Sequence, residues 1–352
     1  MGERIAVAMS GGVDSSVAAV LLREQGYDLL GLTLRLHSWS DPGDERDAAA
    51  VAARLGFGHR VLDGSDTFCH CVMDSFAAAY ENGRTPNPCI DCNRHVKFGL
   101  LLERALELGC NGISTGHYVR SHLDEASGRW LLQTALHPEK DQSYVLYCLT
   151  QNQLARSRFP LGGLAKEEIR AIALEEGLVS AGRRDSQDIC FVPDGDHAAF
   201  IRRHTGRDYP AGDFVAPDGR VLGRHGGIVR YTIGQRRGLG VSSADGRLYV
   251  THIDPAANTV TLGPNEGLFS RVLEAREINF IPFDRLDAPL RVQAKVRYRQ
   301  QGQPATVEQI GPDRIRVTFD RPQRAVTAGQ AVVLYDGDVV IGGGIIDGIA
   351  EG

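Results

Sequence analysis

The hydrophobic pattern gives the chain two textures. As far as Thr115, short unbroken apolar runs alternate with stretches of helical spacing. Arg4 to Met9, Leu29 to Leu36, His59 to Asp63 and Gly112 to Thr115 read as buried strands. Val13 to Gln25, Asp47 to Leu55, Thr67 to Tyr80 and Cys92 to Leu108 read as helices, the last on Val96, Leu100, Leu101, Ala105 and Leu108. This alternation predicts a parallel sheet covered by helices. Tyr118 to Asp124 and Arg129 to Ala135 read as a hairpin around Gly128, and Gln142 to Leu149 and Lys166 to Glu176 as further helices.

Past residue 200 turn signals recur at roughly ten-residue spacing: Pro217-Asp218-Gly219, Asp245-Gly246, Asp254-Pro255, Gly311-Pro312-Asp313 and Asp336-Gly337. Between them lie β-rich stretches, Leu248 to Ile253, Thr259 to Leu262, Arg314 to Phe319 and Ala331 to Tyr335. Small antiparallel barrels or sandwiches are expected there. The expected fold class is therefore α/β, an N-terminal parallel-sheet domain over 1–197 followed by two small mainly-β domains, 198–271 and 272–352.

Composition adds exclusions. Of 352 residues, 42% are hydrophobic and 24% charged, which argues against wholesale disorder. No apolar run reaches membrane-spanning length and the opening residues do not form a signal peptide, so no membrane partner and a cytoplasmic location are expected. Seven cysteines, an odd set, point to a reducing compartment rather than a disulfide framework. The formal charge of −5 does not favour a nucleic-acid partner, so the distribution of charge must be read instead.

Candidate chemistry begins where the first strand runs into Ser10-Gly11-Gly12-Val13-Asp14-Ser15-Ser16 and then a helix. Tandem glycines let the backbone turn and approach a ligand, and the amides at the helix start make an anion site. Ser10 and Ser15 add hydroxyl donors, and Asp14 could hold a metal ion beside phosphates. The string lacks the Gly-Lys-Ser/Thr ending of a Walker A loop and the spacing of a dinucleotide fingerprint. It resembles the PP-loop of the ATP pyrophosphatase superfamily, whose domain is adenine nucleotide alpha hydrolase-like. That resemblance implies ATP and Mg2+ as cofactors, with cleavage to AMP and pyrophosphate. It also implies nucleotide contacts from Ala8, Met9, Ser10, Gly11, Gly12, Val13, Asp14 and Ser15, with Leu34 and Gly116 further along.

Gly83-Arg84-Thr85-Pro86-Asn87-Pro88-Cys89-Ile90-Asp91-Cys92-Asn93 is the most informative stretch. Two prolines stiffen it, and the pattern starts a helix at Cys92, where N-terminal amides would favour a thiolate. Rich in Pro and Gly, it reads as a loop that is mobile without its ligand. Far along the chain, Arg183-Arg184-Asp185-Ser186-Gln187-Asp188-Ile189-Cys190-Phe191 sets another cysteine near two arginines. Together these strings resemble the tRNA-specific 2-thiouridylase family. The resemblance implies that Cys190 accepts sulfur as a persulfide from a donor protein, such as a cysteine desulfurase or relay protein. Cys92 is implied as its nucleophilic partner, able to form a disulfide with it as sulfide leaves. The substrate implied is the wobble uridine of glutamate, glutamine and lysine tRNAs, adenylated on its 2-carbonyl oxygen. Many relatives carry aspartate where this chain has Cys89, which leaves an acid–base role there open. Cys89, Cys92 and Cys190 could alternatively ligate an iron–sulfur cluster, since a bare CxxC does not separate these roles. Cys69, Cys71, Cys110 and Cys148 read as structural.

Basic residues concentrate in the β-rich half. Arg220, Arg224, Arg230, Arg236 and Arg237 lie in a stretch with no acid. In a strand from Arg291 to Arg299, period two would set Arg291, Lys295, Arg297 and Arg299 on one face, able to track phosphates. The family resemblance extends to Tyr231-Thr232-Ile233-Gly234-Gln235 and Val296-Arg297-Tyr298-Arg299. It implies tRNA contacts at Asn87, Pro88, Cys89, His117, Lys140, Asp141, Gln142, Arg297, Tyr298 and Gln330. Two rivals remain: a PP-loop ligase acting on a small molecule, and a thiol- or cluster-based RNA-binding regulator without turnover. The first leaves Asn87 to Cys92 and the basic barrel unexplained, and the second leaves the pyrophosphatase loop idle.

Overall fold

The computed structural model describes residues 2–39, 41–178, 189–242 and 246–350. Arg183 to Asp188 and the Asp245 turn position lie outside the described residues. No helix of the described residues is long and apolar enough to cross a membrane.

Five strands make the first sheet: β1 (Arg4–Ala8), β2 (Asp28–Arg35), β3 (Gly58–Asp63), β4 (Gly112–Ser114) and, after the hairpin β5 (Val119–Asp124) and β6 (Arg129–Thr134), β7 (Ser157–Arg158). All its pairings are parallel, in the order β3-β2-β1-β4-β7. Central β1 is buried at Ile5, Ala6 and Val7, as a strand covered on both faces must be. Helix α1 (Val13–Glu24) packs its buried residues Val17, Ala18 and Val20 against one face, together with α2 (Pro42–Leu55). The α2 helix starts five residues before the apolar pattern does, because Asp41 caps it and Pro42 opens it. Two longer helices span 65–81 and 88–107, each winding as a π-helix in its middle, over Cys69–Asp74 and Cys92–Leu101.

The expected helix over Gln142 to Leu149 does not form. Only a 3-10 turn, Ser143–Val145, appears there, and Ser143 through Leu149 are all buried. A segment buried on every side has no polar face to turn to water, and several of its polar groups are met tertiarily. Tyr144 Oη donates to the Ala331 carbonyl at 2.8 Å, and Asn279 Nδ2 donates to the Tyr147 carbonyl at 2.6 Å.

The helix His197–Thr205 leads into a four-stranded sheet of β8 (Gly212–Val215), β9 (Val221–His225), β10 (Tyr249–Asp254) and β11 (Thr259–Gly263). Its β8–β11 pair is parallel, where the turn-rich sequence predicts antiparallel neighbours throughout. The last strands, β12 (Phe269–Phe280), β13 (Leu290–Lys295), β14 (Gln303–Gly311), β15 (Arg314–Arg324), β16 (Ala331–Asp336) and β17 (Val339–Ile349), close through β12–β17 into an antiparallel barrel. The hairpin β5–β6 joins this barrel by pairing at Gln133 and Val339. A single hydrophobic cluster accordingly runs from Ile113, Leu132 and Tyr144 to Ile281, Ala331, Val333 and Val340.

Candidate active site

The chain leaves β1 into the glycine loop under tight packing. Gly11 has φ +72°, and a Cβ there would stand 2.6 Å from the Asp44 carbonyl oxygen at the start of α2. Gly116, beyond β4, lies against the loop from the other side, where a Cβ would fall 2.8 Å from the Ser15 nitrogen. Backbone is thus pressed on backbone, and glycine alone fits at both points. Ser15 Oγ accepts from the Ser10 amide at 3.2 Å, and Ser16 Oγ donates to the Gly12 carbonyl at 2.8 Å, fixing the turn. Asp14 Oδ1 accepts from both Tyr118 Oη and Lys166 Nζ, each at 2.7 Å. Lys166 is only 5% exposed, so this ion pair is a built feature rather than a surface contact.

A cleft of about 1520 Å3 opens over this loop. Ala8, Met9, Ser10, Gly12, Val13, Asp14, Ser15, Leu34 and Gly116 all line it, while Gly11 is buried and is not among the lining residues. Across the same cleft stand Cys190, His117, Lys140, Asp141, Gln142 and Tyr298. Lys97, which sequence reading does not single out, lines it too.

The cysteine-bearing helix begins earlier than its apolar pattern. Asn87 is the N-cap, its Oδ1 accepting from the Cys89 amide at 3.2 Å, and Pro88 opens the first turn. Cys89 therefore lies in the first turn and Cys92 in the second, so helix-start amides do not serve Cys92. Cys92 is buried, while Cys89 and Cys190 reach water at the surface of a concave region. The surrounding protein sets the direction for all three. Burial pushes the Cys190 thiol up to about 11, helped by Cys92 and Cys89, and pushes Cys92 and Cys89 up as well. The Lys97 ammonium opposes the rise at each of them. Three thiols and one lysine therefore form one electrostatic group, in which burial disfavours the thiolates and Lys97 favours them. Lys97 follows Cys92 by five positions, and in a helix bonded i to i+5 such residues share a face. That signal cannot be read without knowing the π winding.

The 83–87 segment, expected to be mobile, is tied on both sides. The Thr85 amide donates to the Ala328 carbonyl at 2.9 Å, and its carbonyl accepts from Gln330 Nε2 at 2.8 Å. Arg84 pairs with Asp347 at 2.8 Å, and Thr85 Oγ1 meets Thr232 Oγ1 at 3.3 Å. Gln330, Arg297 and Tyr298 line a second cavity of about 820 Å3 together with Thr85 and Thr232 to Gln235. Tyr298 and Arg299 border both cavities.

Several residues expected to touch tRNA spend their side chains on the protein. Asp141 accepts from the amides of Ala135 and Ser143 and from Ser143 Oγ, and Gln142 Oε1 accepts from the Tyr118 amide at 2.9 Å. Arg297 donates to the carbonyls of Arg324 and Ala325. His117, buried and 2.8 Å from Thr115 Oγ1, is held well below the usual imidazole range, first by burial and then by Lys97, and is therefore neutral. The basic strand face is also altered, because β13 ends at Lys295 and Arg297 to Arg299 form a turn. Arg291 is paired with Asp320 at 2.8 Å, and Lys295 with Asp141 at 3.6 Å.

Three family profiles match in chain order. A tRNA methyl transferase HUP domain covers residues 3–194, a tRNA methyl transferase PRC-barrel domain 198–264, and an aminomethyltransferase beta-barrel domain 270–346. The tRNA-specific 2-thiouridylase MnmA of Clostridioides difficile (strain 630) is 45% identical over 359 residues, covering 99% of each chain. The chain belongs to the tRNA-specific 2-thiouridylase family. A second relative, tRNA-specific 2-thiouridylase MnmA 1 of Caldanaerobacter subterraneus subsp. tengcongensis, is 48% identical over 361 residues, covering 99% of this chain and 98% of its own. The solved U34-tRNA thiolase NcsA from Methanococcus maripaludis, with its [4Fe-4S] cluster, is similar at 17% identity and a TM-score of 0.35, over 58% of this chain and 63% of that one. A likeness that low carries no argument about the site.

Proposed function

We propose that this chain is a cytoplasmic tRNA-uridine 2-sulfurtransferase that thiolates the wobble uridine. The observation that carries the reading is the sharing of one cleft by the nucleotide loop and Cys190. ATP would lie with its phosphates on the amides of Ser10 to Ser15 at the start of α1, and its adenine by Leu34 and Gly116. Asp14, which lines the cleft beside the loop, is the group that would hold Mg2+. One carboxylate beside substrate phosphates suits that ion, which supplies charge neutralisation there.

The 2-carbonyl oxygen of the uridine attacks the α-phosphorus, pyrophosphate leaves, and the base carries AMP on oxygen. An amide-like oxygen becomes a leaving group only once it is phosphorylated. Cys190 carries the sulfur as a persulfide. Cys92 thiolate attacks the inner sulfur of Cys190, forming a Cys92–Cys190 disulfide and freeing hydrogen sulfide. Sulfide then adds to C2 and expels AMP, and an external thiol reductant resets the pair. Asn87, Pro88 and Cys89 would face the base. His117, Lys140, Asp141, Gln142, Arg297, Tyr298 and Gln330 would shape the tRNA surface, some of them by holding the backbone that meets it. Glutamate, glutamine and lysine tRNAs are the proposed substrates, and a cysteine desulfurase or relay protein the proposed donor.

The test is sulfur transfer into unmodified glutamate tRNA with ATP, magnesium and a cysteine desulfurase, comparing Cys89→Ser, Cys92→Ser and Cys190→Ser with the parent. Loss of 2-thiouridine in the Cys92 and Cys190 variants alone supports the persulfide route. Absence of product from the parent, with tRNA bound and sulfur delivered, sinks the assignment. A second reading rests on the mutual electrostatic influence of Cys89, Cys92 and Cys190, which an iron–sulfur cluster bound by all three would relieve. Equal loss in all three variants, together with iron in the anaerobically reconstituted protein, favours it.

A further inference from the structure

Away from the cleft, the Cys69 thiol, an Asp74 carboxylate oxygen and a His204 imidazole nitrogen lie within 4.8 Å of one another. Cys69 and Asp74 belong to the helix over 65–81, and His204 to the last turn of His197–Thr205. In an α-helix, residues five apart point to different sides. Over Cys69–Asp74 the helix instead winds with bonds from i to i+5, which brings Asp74 onto the same face as Cys69. Such windings are uncommon and cluster at functional sites.

The second helix completes the set. His204 Nε2 stands 2.6 Å from Asp74 Oδ1, and His70 Nδ1 stands 3.1 Å from Asp74 Oδ2. The His204 ring is stacked on Phe200, with centroids 5.4 Å apart and planes at 10°, so its nitrogen is aimed by packing rather than by the contact alone. Phe200 in turn packs on Phe76 and Phe191, which fixes the two helices to each other.

We propose that Cys69, Asp74 and His204 bind a zinc-type divalent cation, the fourth position being left to solvent. A thiolate and an imidazole beside one carboxylate suit zinc, whereas magnesium and calcium ask for oxygen alone. Zinc bonds of about 2.0–2.3 Å set tetrahedral donors roughly 3.3–3.8 Å apart, so the 2.6 Å contact between His204 and Asp74 must open to admit the ion. Binding displaces the thiol proton from Cys69 and the contact between Asp74 and His204. The position gives the cation a use. The helix over 65–81 runs through Gly83 into the segment bearing Cys89 and Cys92, and the helix His197–Thr205 follows Cys190 along the chain. A cation clasping both fixes the two thiol-bearing segments relative to each other.

The test uses the full chain carrying Cys89→Ser, Cys92→Ser and Cys190→Ser together, so that the cleft thiols cannot supply the signal. Cobalt(II) is titrated into it without oxygen, and thiolate-to-cobalt absorption in the near ultraviolet is followed. The expected result is a band saturating near one cation per chain, abolished by added zinc. The band is lost on adding Cys69→Ser or His204→Gln and kept on adding Cys71→Ser, with circular dichroism confirming that each variant is folded. Absence of the band in the parent of this series, or its persistence in Cys69→Ser, overturns the proposal.

Discussion

Cys190 reaches water on one side but is crowded by protein and by two other thiols, which disfavour its anion, while Lys97 and a backbone hydrogen bond oppose them. For an acid, disfavouring the charged form raises the pKa, and at about 11 the thiolate fraction grows roughly tenfold per pH unit across the neutral range. Alkylation of Cys190 by iodoacetamide, read by mass spectrometry of its peptide, should therefore accelerate steadily from about pH 7 to pH 10. Lys97→Met should slow it at each pH in that range. A rate that levels off below about pH 8.5 would mean that the thiol ionises as an ordinary or activated one. At this scale the sequence speaks unevenly. Ser10 to Ser15, Cys92 and Cys190 stand in strings that carry their own chemistry. Lys97 and Lys166 stand in unremarkable helical text, and their use depends on a π winding and on a contact across 152 positions.

The elements show why periodicity alone misplaces helix starts. Apolar spacing begins the cysteine-bearing helix at Cys92, but backbone satisfaction begins it at Asn87-Pro88, a cap followed by a proline that has no amide to orphan. That signal was present in the sequence, in the pair Asn-Pro. The clasp on the preceding segment was not, since Ala328 to Gln330 lie far along the chain. Gly329 has φ +91°, and a Cβ there would stand 3.0 Å from the Thr85 nitrogen and 3.1 Å from Arg84 Cβ. Gly329→Ala combines a strained backbone with a push on the segment that mounts Cys89, and should cost roughly 1–3 kcal/mol. The measurement is the urea midpoint together with hydrogen exchange at the Thr85 amide, which bonds to the Ala328 carbonyl. Destabilisation should come with faster exchange there and reduced thiolation. An unchanged midpoint with Thr85 still protected would mean that the clasp is incidental.

In the whole molecule, the division into a nucleotide-binding part and β-rich parts is legible in texture, yet beside the clusters each part keeps to itself a third cluster is shared between them. The hairpin β5–β6, inside the first part, adds its edge to the barrel, where the Thr134 amide donates to the Asp338 carbonyl at 2.8 Å and Arg120 pairs with Asp338 at 2.6 Å. Arg129 reaches the Ile281 carbonyl at 2.9 Å. Behind these contacts, Leu132, Tyr144 and Tyr147 share one core with Ile281, Ala331, Val333, Tyr335 and Val340. Each large buried side chain contributes roughly 1.5–3 kcal/mol, so losing several partners removes an amount comparable to the ~5–15 kcal/mol net stability of a domain. A chain ending at Pro264, with the nucleotide loop and all seven cysteines intact, should therefore fail to unfold cooperatively and should bind a hydrophobic dye. Calorimetry beside the full chain would decide it. A cooperative transition at the full-length temperature would show that the first part stands alone and that the barrel is docked rather than built in. Its absence would mean that the barrel and the cleft over the nucleotide loop are set by one core, so that on the proposed function the barrel positions the chemistry as well as the substrate.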